Sequence, residues 1–286
     1  MDMEETKKET KKKHKKKNRF ASGFFTLAIV VCLGVMGFSG YKLISTWLEY
    51  REGDQEYESL RQYTAVVEPE EEQEEVEELP EEEVIPEEID ESDLRTRRRP
   101  PIDVDWKSLR EINDEIVGWI YIGAIDVSYP VVHGSDDDYY LHRTFERADN
   151  FAGSIFVEAE NKGDFSDPNT IIYGHNMNNG SMFGSLKVLI NQEKYKEDPY
   201  FWILTPRGNF RYKMFSMHVT ATSSDVYTLF NGVDKKFIEW CESMKKASTV
   251  DLGEQEFTLH SKIATLSTCT GDSSTRFVVQ GVAVRE

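Results

Sequence analysis

A cysteine and an arginine lie on either side of one short polar turn near the C-terminal end of this sequence. Residues 263–277 read IATLSTCTGDSSTRF, in which one strand-like run ends at Cys269 and a second begins near Arg276. If the two runs pair as antiparallel neighbours, these side chains share a face, with Cβ atoms about 4.5–5.5 Å apart. A fixed positive charge beside a thiol favours the thiolate and can hold a developing oxyanion. The spacing therefore predicts a nucleophilic thiol with an anion-stabilising partner.

A cysteine nucleophile also needs a group that accepts and returns a proton, and histidine commonly serves. His175 stands where the apolar run TIIYGH gives way to the loop HNMNNGSMFGSL, so a strand fixes its backbone and a loop leaves it accessible. We therefore predict His175 as the proton-transfer group. The other histidines lie in a charged tail, beside a turn or inside strand patterns: His14, His133, His142, His218 and His260.

Structural interpretations of the cysteines stay open at this point. A lone cysteine at a strand end is often only a small buried side chain. Cys241 shares helical spacing with Phe237, Trp240 and Met244, which is typical of the core face of an amphipathic helix. A disulfide between Cys241 and Cys269 remains an alternative. The chain has no CxxC or HxxxH spacing, so no metal site is predicted, although calcium binding by the acidic run at 136–138 stays open.

The N-terminal region predicts a membrane anchor. Residues 20–41 carry no charged side chain, and as a helix they reach roughly 33 Å, enough to cross the ~30 Å hydrocarbon core. Eight lysines and one arginine lie within 7–19, so the positive-inside rule keeps the N-terminus in the cytoplasm. We therefore predict a basic cytoplasmic tail at 1–19, a transmembrane anchor at 20–42 and an extracellular remainder. A cleaved signal peptide is the alternative.

An acidic segment follows the anchor. Of the 26 residues at 68–93, 16 are acidic and three are proline, a composition that cannot bury enough apolar surface to fold. We predict a juxtamembrane helix and an acidic disordered linker over 43–101, with the linker acting as a spacer, and a folded domain over 102–286. The net charge of −18 argues against nucleic acid as a partner.

Strand patterns dominate the predicted domain. Eight runs rich in β-branched and aromatic residues are separated by turn sequences such as HGSDDD and NMNNGS. Helical spacing predicts two helices, at 104–117 and 234–247. Many strands, few helices and no alternation of the two predict a mainly β fold, either a closed antiparallel barrel or a sandwich.

The amino-acid sequences of these segments resemble those of the sortases. TLSTC at 265–269, Arg276 on the next strand and IIYGHNMNNGSMFGSL at 171–186 form a specific combination, and GHNM with GSMFG resembles class B. The resemblance extends over 104–286, through GWIYI, YPVVHG, YYL and AGSIF in order. It implies a closed antiparallel β-barrel of about eight strands, with an N-terminal helix and one helix inserted before the last strands.

The resemblance also implies cysteine transpeptidation on the outer face of a Gram-positive type membrane, without a cofactor. Cys269 would attack the carbonyl of a threonine in the C-terminal sorting signal of a surface protein and form a thioester. His175 would protonate the departing amine and deprotonate the incoming one, which belongs to a peptidoglycan cross-bridge or its lipid-linked precursor. Arg276 would hold the oxyanion or the substrate. The implied substrate-binding residues are Leu141, Ser267 and Thr268.

The sequence departs from the class B pattern at two positions. Some members have an aspartate two residues after the cysteine, where this chain has Gly271, and we assign the following Asp272 no catalytic role. Asp137 stands where an asparagine often contacts the sorting signal, which predicts a different substrate preference. An anchored cysteine peptidase that uses water in place of the amine, and a non-catalytic binding module, are the alternative functions.

Overall fold

A computed structural model of the chain describes residues 4–67, 96 and 98–284, with side chains from residue 27 onward. The chain divides into two compact units, Met1–Glu52 and Gly53–Glu286. Most of helix α1 (Glu4–Leu60) forms the first unit, and its last two turns belong to the second. The predicted acidic linker, except for its ends, and the side chains of the predicted basic tail lie outside the described residues.

Helix α1 contains the predicted membrane span. The helical stretch Leu27–Tyr63 is long and apolar enough over part of its length to cross a membrane, with a mean hydropathy of 1.9 in its most apolar window. The apolar side chains of that window face outward rather than into a protein core. The juxtamembrane helix predicted after the span is present as the continuation of α1 to Leu60.

The second unit is built around a closed barrel of eight strands, which confirms the predicted mainly β fold and all eight strand runs. The barrel strands are β3 (Ile116–Ile122), β4 (Val127–Val132), β5 (Ile155–Val157), β6 (Asn169–Tyr173), β7 (Tyr200–Thr205), β8 (Gly208–Ala221), β9 (Ile263–Cys269) and β10 (Thr275–Val284). Their order around the barrel is β10-β8-β7-β3-β4-β5-β6-β9, and β9 closes it by pairing with β10.

The barrel is mixed, so the prediction of a wholly antiparallel barrel is wrong in this respect. Strands β4 and β5 run parallel, as do β6 and β9, whereas the other pairs are antiparallel. Parallel neighbours need a long crossover connection. Residues 133–154 and 174–262 supply the two crossovers, and neither shows the simple strand–helix alternation by which a crossover is usually predicted from sequence.

The first predicted helix is shorter than its sequence pattern indicates. Helix α2 spans Trp106–Ile112 rather than 104–117. Asn113 ends it with an extended backbone, and its buried side chain donates to the Tyr140 hydroxyl and the Phe145 carbonyl at 2.9 and 2.8 Å. These tertiary hydrogen bonds hold the chain in an extended form, and the residues that follow continue as β3 instead of completing the helix.

The second predicted helix is confirmed as α4 (Lys235–Ala247), and a single further turn forms α3 (Val188–Asn191). The Asp234 carboxylate caps α4 by accepting from two backbone N–H groups of its first turn. Its core face is the predicted one and packs on Ile263 of β9 and Val278 of β10. The buried residues of that face are Phe237, Trp240, Cys241 and Met244.

A small antiparallel sheet holds both ends of the predicted linker beside the barrel. Strands β1 (Thr64–Val66) and β2 (Ile102–Val104) pair, and the Val67 N–H donates to the Pro101 carbonyl at 3.0 Å. Thr96 also pairs with the barrel, because its N–H donates to a carbonyl of β8 at 2.8 Å. The predicted domain boundaries stay predictions, but the barrel unit of the structure begins at Gly53.

Candidate active site

Three neighbouring barrel strands bring Cys269, His175 and Arg276 into one row. Strands β9 and β10 place Cys269 directly opposite Arg276, as predicted. The parallel pair β6 and β9 places Tyr173 opposite Ser267. The N–H of Gly174, the first residue after β6, donates to the Ser267 carbonyl at 3.2 Å. His175 and Cys269 each follow two residues later, so they stand at the same level. Cys269 therefore lies between Arg276 on β10 and the segment that carries His175 beyond the end of β6.

Cys269 ends β9 as a free, partly exposed thiol. Cys241 is also free and buried, so the two cysteines are not joined. The turn after Cys269 is held by its own side chains, since the Thr270 and Thr275 hydroxyls are 2.5 Å apart and the Asp272 carboxylate accepts from Ser274. Asp272 is thus used in the turn.

His175 is fixed by a backbone carbonyl. Its Nε2 lies 2.7 Å from the Leu141 carbonyl oxygen, and because a carbonyl only accepts, Nε2 carries a hydrogen. Burial lowers the pKa of His175 below its ordinary value, the Leu141 hydrogen bond opposes that shift, and nearby His142 adds to it. The neutral imidazole consequently has its lone pair on Nδ1, the nitrogen that can accept a proton.

Arg276 is anchored by the hairpin turn next to the thiol. Its Nη1 donates to the Ser273 carbonyl at 3.0 Å and to the Thr275 carbonyl at 2.9 Å. These bonds hold the guanidinium against the hairpin turn that joins β9 to β10. A positive charge in this position can stabilise a negative charge that develops near Cys269.

The three predicted substrate-binding residues have different environments. Leu141 is partly exposed and contributes the carbonyl that holds His175. Ser267 is 1% exposed, and its hydroxyl lies 2.9 Å from the Tyr227 hydroxyl. Thr268 is 2% exposed and points to the opposite face of β9 from Cys269, because side chains alternate along a strand. Among the described residues its hydroxyl has no hydrogen-bond partner, so only its backbone can face a substrate.

A chain of polar side chains beside the row was missed by sequence reasoning. The Tyr173 hydroxyl donates to Glu158 at 2.6 Å, and the Tyr173 ring stacks on Tyr227, which reaches Ser267. Burial raises the pKa of Glu158 to about 7, and a hydrogen bond with Asp137 adds to the shift. No local pattern marks these residues, because they belong to separate strands and loops. They form a polar wall next to the candidate nucleophile.

The acidic run at 136–138 is engaged in local hydrogen bonds. The Asp136 carboxylate accepts from the backbone N–H groups of Asp138 and Tyr139, and Asp137 accepts from the Ala159 N–H at 2.9 Å. Within the part of the chain that the structure describes, no three histidine, cysteine, aspartate or glutamate side chains lie together in a way that could hold a metal ion.

A closed barrel with a thiol, an imidazole and a guanidinium in one row has the features of a cysteine-dependent acyl-transfer enzyme. Comparison with known proteins identifies the family within this class. The family model for the sortase domain matches residues 120–284. Sortase B of Listeria monocytogenes is 32% identical over 183 residues, which cover 62% of this chain and 73% of the relative. Sortase B of Staphylococcus aureus is 26% identical over 246 residues, which cover 86% of this chain and 89% of the relative.

Solved structures agree with the sequence comparisons. Sortase B from Bacillus anthracis in complex with AAEK1 superposes with a TM-score of 0.64 at 27% identity, covering 84% of this chain and 100% of that one. A Staphylococcus aureus sortase B–substrate complex superposes with a TM-score of 0.58 at 29% identity, covering 62% of this chain and 83% of that one. The chain belongs to the sortase family, the members of which are cysteine transpeptidases, and its relatives named here are class B sortases.

Proposed function

We propose that this chain is a membrane-anchored class B transpeptidase that attaches surface proteins to the cell wall. It would cleave a C-terminal sorting signal after threonine through a Cys269 thioester. It would then transfer the protein to an amine of a peptidoglycan cross-bridge or of its lipid-linked precursor. The observation that carries the proposal is the strand register, which pairs Cys269 with Arg276 and brings His175 two residues past the Tyr173–Ser267 pair.

In the first half-reaction His175 Nδ1 takes the proton of the Cys269 thiol as the sulfur attacks the threonine carbonyl carbon, and the bond from that carbon to the following nitrogen then breaks. His175 supplies a proton to the leaving amine from Nδ1, because its Nε2–H is engaged by Leu141. Arg276 and backbone N–H groups near Cys269 hold the oxyanion of the tetrahedral intermediate. The product of this step is a thioester and a free C-terminal fragment.

In the second half-reaction an incoming amine attacks the thioester carbonyl. His175 Nδ1 accepts the proton that the amine loses, and the carbon–sulfur bond breaks to restore the thiolate. The proton held by His175 then passes to the Cys269 thiolate, and burial, which lowers the pKa of His175, favours this return to the neutral imidazole. The same nitrogen therefore serves both halves of the reaction.

The N-terminal helix supports anchoring at a membrane. Its apolar window is long enough to span a bilayer, and the basic residues precede it while acidic residues follow. By the positive-inside rule the N-terminus lies in the cytoplasm and the barrel outside the cell. This location would bring Cys269 to exported proteins and to the nascent cell wall.

The reaction is tested with the full chain in detergent micelles, a fluorescent peptide library with one fixed threonine, and triglycine as the amine. Wild-type protein should yield triglycine-linked peptide, detected by mass spectrometry, and Cys269→Ala should yield none. Cys32→Ala removes a thiol from the apolar helix and serves as the matched control with unchanged activity. Cleavage without any triglycine-linked product would instead identify a peptidase that uses water, and an active Cys269→Ala variant would refute the thioester.

A further inference from the structure

The last two turns of helix α1 contact both segments that hold His175. One segment is the loop that carries Leu141, whose carbonyl binds the imidazole at 2.7 Å. The other is the loop that begins at His175 and returns at Phe183, whose N–H donates back to the His175 carbonyl at 3.0 Å. The helical residues concerned, Gly53–Leu60, are part of the barrel unit.

Tyr57 supports the first segment. Its side chain is buried, and its hydroxyl donates to the Gly153 carbonyl at 2.6 Å and accepts from the Phe145 N–H at 3.2 Å. Ser154 follows directly, and its N–H donates to the Tyr140 carbonyl at 2.9 Å. One hydroxyl thus ties together the two sides of the loop whose Leu141 carbonyl orients His175.

The second segment is held at two points. The Asn179 side-chain amide donates to both carboxylate oxygens of Asp54, at 3.0 and 2.8 Å. The Met182 N–H donates to the Tyr129 hydroxyl at 3.1 Å, and the Tyr129 ring meets the edge of Tyr57 at a centroid distance of 5.5 Å. The loop that follows His175 is therefore fixed by α1 directly through Asp54 and indirectly through Tyr57.

Close packing brings this part of α1 onto the barrel. A Cβ added at Gly53 would lie 3.2 Å from the Asn150 side chain and 3.5 Å from Ala152. Leu60, at the end of the helix, is fully buried. These contacts make Gly53–Leu60 a structural part of the candidate active site, although the matched sortase domain begins only at residue 120.

We propose that Gly53–Leu60 positions His175, with Asp54 and Tyr57 as positioning residues that act through Asn179 and through the Leu141 loop. The proposal deepens the proposed function, because it assigns part of the catalytic geometry to the helix that emerges from the anchor. Loss of either contact would leave Cys269 in place and would loosen the imidazole relative to it. Catalysis depends steeply on such alignment.

The Asp54 contact is tested in the full chain by removing each partner and by exchanging the carboxylate and the amide between positions 54 and 179. Asp54→Ala and Asn179→Ala should each lower kcat about three- to tenfold with little change in KM, because alignment rather than binding is lost. The double variant Asp54→Asn with Asn179→Asp restores an amide–carboxylate pair and should recover most of the activity. Glu52→Ala, which removes a carboxylate from an exposed position of the same helix just before this segment, is the matched control. If the exchange variant rescues nothing, or if the Asp54→Ala variant keeps wild-type kcat, the Asp54 contact does not position His175.

The Tyr57 contact is tested with Tyr57→Phe, which keeps the ring and removes the hydroxyl. We expect about a tenfold lower kcat and a shift of the His175 pKa measured by NMR titration of the imidazole. A lower melting temperature with unchanged kcat and unchanged His175 pKa would show a purely structural role and overturn the proposal. The NMR readout does not require turnover, so positioning is judged even if the wild-type chain fails to transfer peptide, which would refute the proposed function alone.

Discussion

The Leu141 carbonyl decides which nitrogen of His175 takes part in proton transfer. It accepts the Nε2 hydrogen and leaves the lone pair of the neutral ring on Nδ1. It also favours the protonated imidazole, and so it opposes the effect of burial on the pKa of His175. One backbone atom therefore sets both the tautomer of the histidine and part of its acidity.

Gly153 gives direct experimental access to that carbonyl. Its φ of +57° is unfavourable for any residue with a side chain, and an added Cβ would lie 2.6 Å from the Leu141 oxygen. Gly153→Ala should displace the carbonyl, lower the pKa of His175 further because the opposing hydrogen bond is lost, and reduce kcat by about tenfold or more. Imidazole NMR titration and peptide-transfer kinetics measure the two effects.

Gly232→Ala is the control for this substitution, since nothing lies within 4 Å of a Cβ at that position. It should leave both the His175 titration and the transfer rate unchanged. A Gly153→Ala variant that is folded and titrates like the wild type would show that Leu141 does not govern the histidine.

At the scale of elements, the β1–β2 ladder changes how the acidic segment is understood. The ladder and the Thr96 bridge attach both ends of residues 68–95 to the barrel unit. A spacer that separates two units of a chain must have one end on each unit. The residues on both sides of this segment belong to the barrel unit, and we therefore expect that the segment is not required to fold the barrel.

Replacing residues 69–94 with eight Gly/Ser residues tests this interpretation. The loop between Val67 and Thr96 would shrink from 28 residues to ten, which should stabilise the barrel unit by about 1 kcal/mol through a smaller loop-closure entropy. Thermal unfolding should therefore shift upward by about 2–4 °C, and peptide transfer should be unchanged. A 26-residue Gly/Ser replacement of the same segment keeps the loop at 28 residues and separates the effect of length from that of charge. A marked loss of stability in both variants would assign the acidic sequence a structural role.

At the scale of the whole molecule, an apolar helix precedes the barrel unit and carries its basic residues on the N-terminal side. If the chain is anchored with its N-terminus in the cytoplasm, protease added to protoplasts of a Gram-positive host should digest the barrel unit without lysis. Deleting residues 1–42 should move the protein to the soluble fraction, because the span is removed while Gly53–Leu60 is retained. A barrel unit that is protected until the membrane is lysed would contradict this orientation.

Much of the fold was predictable because its signals are local. Each barrel strand carries its own apolar and β-branched run, and the amphipathic spacing of α4 identifies its core face within 13 residues. The pairing of Cys269 with Arg276 follows from a short turn between two strands. Helix α2 is the counterexample, since Asn113 ends it through hydrogen bonds to residues 27 and 32 positions away.

By itself, the sequence determined the mainly β class, the apolar N-terminal helix and the thiol with its guanidinium neighbour, because strand pattern, hydropathy and turn length are local properties. Only the tertiary structure decided the parallel pairing that brings His175 level with Cys269 and the carbonyl that orients His175. It also decided the contact between Asp54 and Asn179, which lie 125 positions apart. Such contacts depend on how distant segments cross in space, and no periodicity within either segment records them.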